Sequence, residues 1–163
     1  MRDIDLFDAS AHGLSAAEAV ATDPQHRLVL EAAGEALISA ALHHAVPAAR
    51  TGVFVGISWT EYARMAGEAG APVSAYTAQG AVLSVCPGRV AFHYGLKGPA
   101  VAVDTACSSS LVAAASAREA VLKSGGAALA GGINMTLAAA TTFMFKKAGM
   151  LSGKAAPSRI CGA

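Results

Sequence analysis

The sequence contains few charged residues for its length. Only 14% of its 163 residues are Asp, Glu, Lys or Arg, whereas about 25% is usual for a globular domain. Hydrophobic residues make up 54% of the chain, so a free-standing domain of this size would expose much apolar surface. We therefore expect that a partner covers part of the surface and that the chain belongs to a larger protein.

A clustered basic face is also missing. The formal net charge is +1, and Lys146-Lys147 is the nearest thing to a run of basic residues. Proteins that bind nucleic acid concentrate Lys and Arg on one face or along one helix. The sequence therefore predicts no nucleic-acid partner.

Cysteine is scarce as well. The three cysteines, Cys86, Cys107 and Cys161, form an odd number without a Cys-x-x-Cys pair, which argues against a disulfide framework or a zinc site and for a reducing compartment. The N-terminal residues include acidic side chains and no apolar core, unlike a secretory signal. We expect a cytoplasmic protein with no bound metal.

One long uncharged stretch raises the question of a membrane span. Residues 124–145 contain no charged side chain, and about 20 apolar residues can cross a bilayer. The stretch is interrupted by the glycine pairs Gly125-Gly126 and Gly131-Gly132 and by Asn134. This pattern favours a buried strand followed by a helix over a transmembrane helix.

Helical and strand-like segments alternate along the chain. Asp23-Pro24 is typical of a helix start, and Gly95 is typical of a helix end. The predicted helices are residues 24–44, 84–95, 107–124 and 138–148; the predicted strands are residues 52–57, 100–104 and 127–137; residues 60–80 are predicted as a short helix and a loop. This alternation predicts an α/β fold of helix and sheet layers with a largely buried sheet.

The helix that follows Cys107 has an unusual composition. Its first half contains Leu111, Val112 and then three alanines, so that no side of it is polar. A helix that is apolar all round is normally buried. We therefore predict that this helix is buried on every side.

Cys107 is the strongest candidate for a reactive group. It follows a predicted strand and begins a predicted helix, where free N–H groups and the positive end of the helix dipole favour the thiolate, which is the reactive form. The same N–H groups could donate to an oxyanion during attack on a thioester. Cys86 and Cys161 do not lie at such junctions, and we expect both to have packing roles.

The residues around Cys107 resemble the active-site signature of the β-ketoacyl synthases, in the form found in modular polyketide synthases and animal-type fatty acid synthases. Further motifs occur in the order of that family. The signature is Asp104-Thr105-Ala106-Cys107-Ser108-Ser109-Ser110-Leu111; the other motifs are Asp23-Pro24-Gln25-His26-Arg27-Leu28, Thr51-Gly52-Val53-Phe54-Val55-Gly56, Gly88-Arg89, Gly95-Leu96-Lys97-Gly98-Pro99, Ala130-Gly131-Gly132-Ile133-Asn134 and Lys147-Ala148-Gly149-Met150-Leu151-Ser152.

The resemblance also shows where the chain departs from the family. His26 replaces a glutamine, and the family's two catalytic histidines and a nearby lysine belong to a part that follows residue 163. The five histidines of this chain, His12, His26, His43, His44 and His93, all precede Cys107 and match no catalytic position. We expect His26 and His93 to be partly buried on helices and His43-His44 to be a solvated helix end. Residues 1–163 are thus interpreted as one partial N-terminal domain, lacking the start and the C-terminal half.

The resemblance implies a fold, a reaction and partners. The fold is the thiolase fold, of which this chain would form most of the first half, and family members are usually homodimers. Cys107 would accept an acyl group from the phosphopantetheine of an acyl carrier protein, and a malonyl-type extender would lose carbon dioxide and attack the thioester. No cofactor would be bound by the chain itself.

The sequence is also compatible with two alternatives. The chain could be a catalytically silent truncated product or a dimerisation scaffold, because it lacks the catalytic histidines. A thiolase relative that cleaves rather than condenses is disfavoured by the serine run Ser108-Ser109-Ser110. For the 163-residue chain alone we expect negligible condensation activity.

Overall fold

The computed structural model describes residues 6–40 and 48–151 and contains a parallel sheet with helices on both faces. The strands are β1 (Thr51–Ile57), β2 (Ala100–Val103) and β3 (Ala127–Ile133). The α-helices are α1 (Ala16–Ala21), α2 (Pro24–Ser39), α3 (Tyr62–Glu68), α4 (Ala75–Ala81), α5 (Val85–His93), α6 (Ser109–Ser124) and α7 (Ala139–Lys147). The predicted α/β layered architecture is confirmed.

Strand β1 is the centre of the sheet. It pairs in parallel with β2 on one side, where Val53 lies opposite Ala100, and with β3 on the other, where Thr51 lies opposite Ala127. All seven residues of β1 are buried. Such burial on both faces explains why the strand has no polar alternation in its sequence.

The two faces of β1 pack against different helices because successive side chains of a strand point in opposite directions. On one face, Val53, Val55 and Ile57 form a core with Leu30 of α2 and Val90 of α5, among others. On the other face, Phe54 packs against the α6 residues Ala113 and Ala117. The sheet is therefore sandwiched between α2 and α5 on one side and α6 on the other.

The helix boundaries around the core agree with the predicted capping signals. The Asp23 carboxylate accepts a hydrogen bond from the Gln25 N–H at 2.8 Å, and Pro24 is the first residue of α2. Helix α5 begins after Ser84, contains Pro87 in its first turn, and is followed by Gly95 with a φ of +66°. The predicted end of α2 near His43-His44 lies outside the described residues.

Two predicted segments differ from the structure. Residues 60–80 contain two helices rather than one, and the second, α4, is stabilised by reciprocal capping between Ser74 and Thr77. The third strand ends at Ile133 rather than at residue 137. The backbone N–H groups of Met135, Leu137 and Ala138 bind side chains instead of a neighbouring strand.

The prediction that α6 is buried all round is wrong for this chain. Its buried residues Ser109, Ala113 and Ala117 recur every four positions and form one stripe against the sheet, whereas Leu111 is 73% exposed. The sheet is also less buried than predicted, because β2 and β3 are only partly covered. The apolar composition of α6 predicted an apolar environment on every side, but within the chain only the side that faces the sheet is buried.

The uncharged stretch 124–145 forms a strand and a helix, as predicted, with β3 and the first part of α7 separated by a loop. In residues 6–40 and 48–151, none of the helices combines the length and the apolar character that a membrane crossing requires.

Candidate active site around Cys107

Cys107 lies between β2 and α6; the sequence predicted this junction but placed Cys107 at the first residue of the helix, which begins two residues later, at Ser109. The strand ends at Val103, a one-turn 3₁₀ helix spans Ala106–Ser108, and α6 begins at Ser109. Cys107 is exposed, so the thiol is in the short turn that leads into the helix rather than inside the helix itself. This placement brings the thiol to the carboxyl edge of the parallel sheet.

The turn that carries Cys107 contains a strained residue. Ala106 has a φ of +54° and, among the described residues, is the only non-glycine with a positive φ. An L-residue in this left-handed region brings its Cβ close to the following carbonyl oxygen, at a cost of roughly 1–2 kcal/mol. Strained backbone of this kind tends to cluster at functional sites.

Ser109 holds the turn in this conformation. Its hydroxyl accepts a hydrogen bond from the Thr105 N–H at 2.9 Å and donates to the Ala106 carbonyl oxygen at 2.7 Å. It also lies 3.2 Å from the Ser58 hydroxyl, which belongs to the loop after β1. A single, nearly buried serine therefore links both ends of the turn to the neighbouring strand.

Ser108 does not cap the helix that it precedes. Its hydroxyl donates back to Thr105, where the carbonyl oxygen and the side-chain oxygen each lie 2.9 Å away, and it makes no side-chain bond to the first turn of α6. The first N–H groups of an α-helix have no partner within the helix itself. The start of α6, next to Cys107, thus has no side-chain cap from Ser108.

Two glycines allow α6 to approach the sheet closely. A Cβ atom on Gly56 of β1 would lie 2.5 Å from the Ser109 carbonyl carbon, and one on Gly132 of β3 would lie 2.5 Å from the Ser110 Cβ. Gly56 and Gly132 are also paired across the two strands. The helix start beside Cys107 can therefore lie this close to the sheet only because both positions are glycine.

The thiol opens into a cavity of about 560 Å³. The cavity is bounded by the helix start, the ends of β1 and β3, and part of α7. The residues that line it are Gly56, Ser58, Trp59, Ala106, Cys107, Ser109, Ser110, Gly132, Ile133, Asn134, Phe145 and Met150. Trp59 and Phe145 pack edge to face in this lining, with ring centroids 5.8 Å apart.

Asp104 is the ionisable group nearest to the turn in sequence. Its Oδ1 accepts a hydrogen bond from the Ala106 N–H at 3.1 Å. This bond, together with one from Ser58, lowers the pKa of the Asp104 carboxyl. The aspartate is thus held as an anion that fixes the turn.

The described histidines do not reach the cavity. His12 and His93 pack ring to ring, with centroids 5.0 Å apart, on another part of the molecule, and His26 in α2 is only 1% exposed. His26 was expected to be partly buried and is instead inaccessible. His43 and His44 lie outside the described residues.

Cys86 lies in a different environment from the exposed Cys107. It is buried in the core beside Val90, and burial, followed by the Asp23 charge, raises the pKa of its thiol to about 12. This environment agrees with the predicted packing role. Cys161 lies outside the described residues.

Several cavity residues could not be predicted from the sequence. Ser58, Trp59 and Phe145 come from segments that are distant from Cys107 along the chain, and nothing in their spacing indicated that they would meet. The two glycines beneath the start of α6 did have a signal in the sequence, since β1 and β3 both end in Gly followed by Ile. Among the described residues, no group of three or more His, Cys, Asp or Glu side chains is arranged to hold a metal ion.

Comparison with known sequences places this site in a family. The profile described as "Beta-ketoacyl synthase, N-terminal domain" matches residues 1–163. The chain is 45% identical over 152 residues to a protein of the phenolphthiocerol/phthiocerol polyketide synthase of Mycobacterium tuberculosis, covering 92% of the chain and 8% of that protein. It is 49% identical over 137 residues to the spectinabilin polyketide synthase system protein NorC of Streptomyces orinoci, covering 80% of the chain and 6% of that protein.

Solved structures show the same relationship. The ketosynthase from module 6 of the bacillaene synthase of Bacillus subtilis superimposes with a TM-score of 0.80 at 32% identity, covering 94% of this chain and 26% of that one. The oxazolomycin ketosynthase domain of Streptomyces albus superimposes with a TM-score of 0.78 at 30% identity, covering 93% of this chain and 26% of that one. The chain therefore spans about a quarter of these ketosynthase chains and has their thiolase-like α/β layered fold.

The profile match over the whole chain, the identity to polyketide synthases and the shared fold show that this chain belongs to the β-ketoacyl synthase family, within its N-terminal domain.

Proposed function

We propose that Cys107 carries an acyl group as a thioester during a decarboxylative Claisen condensation. The observation that supports this best is the position of Cys107: it is exposed on a strained turn at the mouth of an open cavity. The other described cysteine is buried in the core. A cysteine that served only in packing would be expected in the second environment, not the first.

The reaction can be written with this residue as both nucleophile and leaving group. The Cys107 thiolate attacks the acyl carbonyl of a thioester on the phosphopantetheine of an acyl carrier protein, and the carrier thiol departs. A malonyl-type extender then loses carbon dioxide, and the enolate attacks the Cys107 thioester, which forms the carbon–carbon bond and releases the thiolate. A thiol suits both roles.

The start of α6 supports the first step. Because Ser108 is turned back toward Thr105, the N–H groups at this helix start are not capped by its side chain. Such groups stabilise negative charge on the thiolate and on the oxyanion that forms during attack. The carbonyl of a bound thioester would therefore meet donors beside the nucleophile.

The second step needs groups that the cavity does not contain among the described residues, because no histidine lines it. We therefore expect the 163-residue chain to be acylated at Cys107 but to condense negligibly. Decarboxylation would depend on residues that another part of the enzyme supplies.

A homodimer is the proposed assembly. In the described sheet, β2 pairs with β1 and its other edge has no neighbouring strand, and its residue Val101 is 37% exposed. An unpaired strand edge is a ready site for pairing with another chain. A second copy of this chain along β2 would also cover part of the apolar surface that the composition implies.

Acylation is tested by incubating the full chain with an acyl thioester and locating adducts by peptide mass spectrometry. We expect one adduct per chain, on Cys107, and none in Cys107→Ser. Cys86→Ser is the matched control, because it removes an inaccessible thiol and should leave the adduct unchanged. Equal labelling of all three cysteines would refute the proposal.

The alternative function is a silent scaffold that retains only dimer contacts. The lack of a histidine around the described cavity favours it. A chain that forms dimers in sedimentation experiments but is never acylated at Cys107 would support this alternative over the first proposal.

A further inference from the structure

A buried carboxylate links two segments that wall the Cys107 cavity. Glu61 is 5% exposed, and its Oε2 accepts hydrogen bonds from the N–H groups of Leu137 at 2.6 Å and Ala138 at 2.7 Å. Its Oε1 accepts a third bond from the Thr141 hydroxyl. Glu61 therefore ties the loop after β1 to the two residues that precede α7 and to Thr141 in its first turn.

Helix α7 has no cap of its own. Its N-cap position is occupied by Ala138, which makes no side-chain capping bond. A carboxylate at a helix N-terminus satisfies free N–H groups and is favoured by the helix dipole. Burial raises the pKa of the Glu61 carboxyl, but the bonds from Thr141, Ala138 and Leu137 outweigh it and keep the pKa below its ordinary value.

Gln25 provides a second link between the same two segments. Its side-chain amide donates to the Trp59 carbonyl oxygen at 2.5 Å, and its side-chain oxygen accepts from the Met135 N–H at 3.0 Å. The backbone on both sides of the cavity is thus tied to one side chain of α2. Gln25 binds the Trp59 carbonyl oxygen directly, and Glu61 ties the chain to the start of α7 two residues after Trp59.

The two links have a common consequence for the cavity. They fix the loop that carries Trp59 against the helix that carries Phe145, and these two rings meet edge to face at a centroid distance of 5.8 Å. Both rings line the cavity that contains Cys107. Trp59 and Phe145 together form one wall of the cavity, called here the Trp59–Phe145 wall. Its shape therefore depends on the polar contacts that Gln25 and Glu61 make behind it.

We propose that Glu61 is a positioning residue that sets the Trp59–Phe145 wall and thereby limits the size of the acyl group that Cys107 accepts. The proposal rests on the proposed acylation of Cys107 and adds to it the group that determines its selectivity. Glu61 acts through α7 and does not itself meet the acyl chain. Its removal would free the start of α7 and let the wall move away from Trp59.

Trp59 makes the wall directly observable, because it is the only tryptophan in the chain. In Glu61→Ala we expect the tryptophan emission to shift to longer wavelength, with the far-UV circular dichroism retained. In Glu61→Gln we expect near-native emission, since an amide can still accept from the two N–H groups and donate to the Thr141 hydroxyl. Glu68→Ala is the matched control, since Glu68 is an exposed glutamate on α3 that pairs with Arg64.

Selectivity is measured as a ratio of rates at Cys107. Iodoacetamide and N-phenylmaleimide serve as a small and a bulky thiol reagent, and acetyl and octanoyl thioesters of N-acetylcysteamine serve as a short and a long acyl donor. Since a displacement of about 1 Å can change rates by about 100-fold, we expect Glu61→Ala to raise the bulky-to-small ratio about threefold or more. Glu61→Gln and Glu68→Ala should keep the native ratio.

The outcomes separate this inference from the proposed function. Unchanged emission and unchanged ratios in a folded Glu61→Ala would overturn the positioning role. If the ratio of the alkylating reagents changes while no thioester acylates any variant, the positioning role of Glu61 stands and the acyl-transfer function fails. If Glu61→Ala does not fold, Thr141→Val removes one bond at nearly constant volume and is judged by the same measurements.

Discussion

Gly56 and Ser109 touch so closely that a Cβ atom on the glycine would lie 2.5 Å from the carbonyl carbon of the serine. The contact joins the end of the central strand to the start of the helix that follows Cys107. The position of the Cys107 thiol at the edge of the sheet therefore depends on Gly56, which lies 51 positions earlier in the chain and has no side chain.

Replacing Gly56 by alanine should destabilise the protein. The added methyl group meets backbone atoms that cannot rotate away, and overpacking of this kind typically costs about 1–3 kcal/mol. Urea unfolding monitored by circular dichroism measures the loss. Gly67→Ala is the control: Gly67 is on α3, where a Cβ atom would meet no neighbouring atom within 4 Å, so this change should stabilise the helix by up to about 1 kcal/mol. Equal effects of the two changes would contradict the prediction.

Replacing Ala106 by glycine should stabilise the protein slightly. Ala106 has a φ of +54°, and relief of about 1–2 kcal/mol of strain exceeds the roughly 0.5–1 kcal/mol that glycine costs in unfolded-chain entropy. The expected gain is up to about 1 kcal/mol in the free energy of unfolding. Ala106→Val should have the opposite sign, because a β-branched residue fits this region poorly. A loss of stability in Ala106→Gly would show that the turn is not strained.

Ser109→Ala should loosen the turn that carries Cys107. The change removes the acceptor of the Thr105 N–H and the donor to the Ala106 carbonyl oxygen, and groups left unsatisfied in this way typically cost about 1–3 kcal/mol each when buried. Because the site is only partly buried, we expect the lower end of that range. Ser116→Ala, on the same helix, should change stability by less than about 0.5 kcal/mol. Hydrogen exchange at the Thr105 amide should accelerate only in Ser109→Ala.

The buried His26 should make stability fall in mild acid. Burial, with a smaller contribution from the Arg89 charge, lowers the pKa of His26 from 6.5 to about 4, and neither ring nitrogen has a hydrogen-bond partner among the described residues. The unfolded chain therefore takes up a proton between about pH 6.5 and pH 4 that the folded protein excludes. His26 imposes no penalty above pH 6.5, and stability declines as the pH falls toward 4.

The size of this effect follows from the shift in pKa. One unit corresponds to about 1.4 kcal/mol, so the loss between pH 6.5 and pH 4 reaches about 3 kcal/mol. His26→Gln has no titrating group at this position, and its free energy of unfolding should fall less steeply over the same range. Denaturant unfolding at several pH values measures the difference. Parallel curves for the two proteins would show that His26 is protonated equally in both states.

Most secondary structure was predictable because its signals are local. Asp23 and Pro24 start a helix by chemistry confined to one turn, and Gly95 ends another because it adopts a positive φ. The second helix within residues 60–80 was not predicted, because its signals are not local. A seven-residue helix such as α4 shows little periodicity and depends on the Ser74–Thr77 capping pair and on its packing against α1.

The burial of α6 was mispredicted for a physical reason. An apolar composition indicates that a helix is buried, but it does not indicate which segments or partner chains pack against it. Only the stripe containing Ala113 and Ala117 meets the sheet within the chain. The same limit applies to β2, whose apolar residues were expected to be buried and lie on an edge.

The order of helices and strands, the family and the cysteine at the junction between β2 and α6 were predictable from the sequence, because they follow from neighbouring residues and from a motif of consecutive positions. The folded chain was needed to see that Gly56 and Gly132 make room for that junction, that Glu61 reaches the start of α7, and that Trp59 packs against Phe145. Those contacts join residues up to 86 positions apart, and sequence spacing carries no information about which distant segments the sheet brings together.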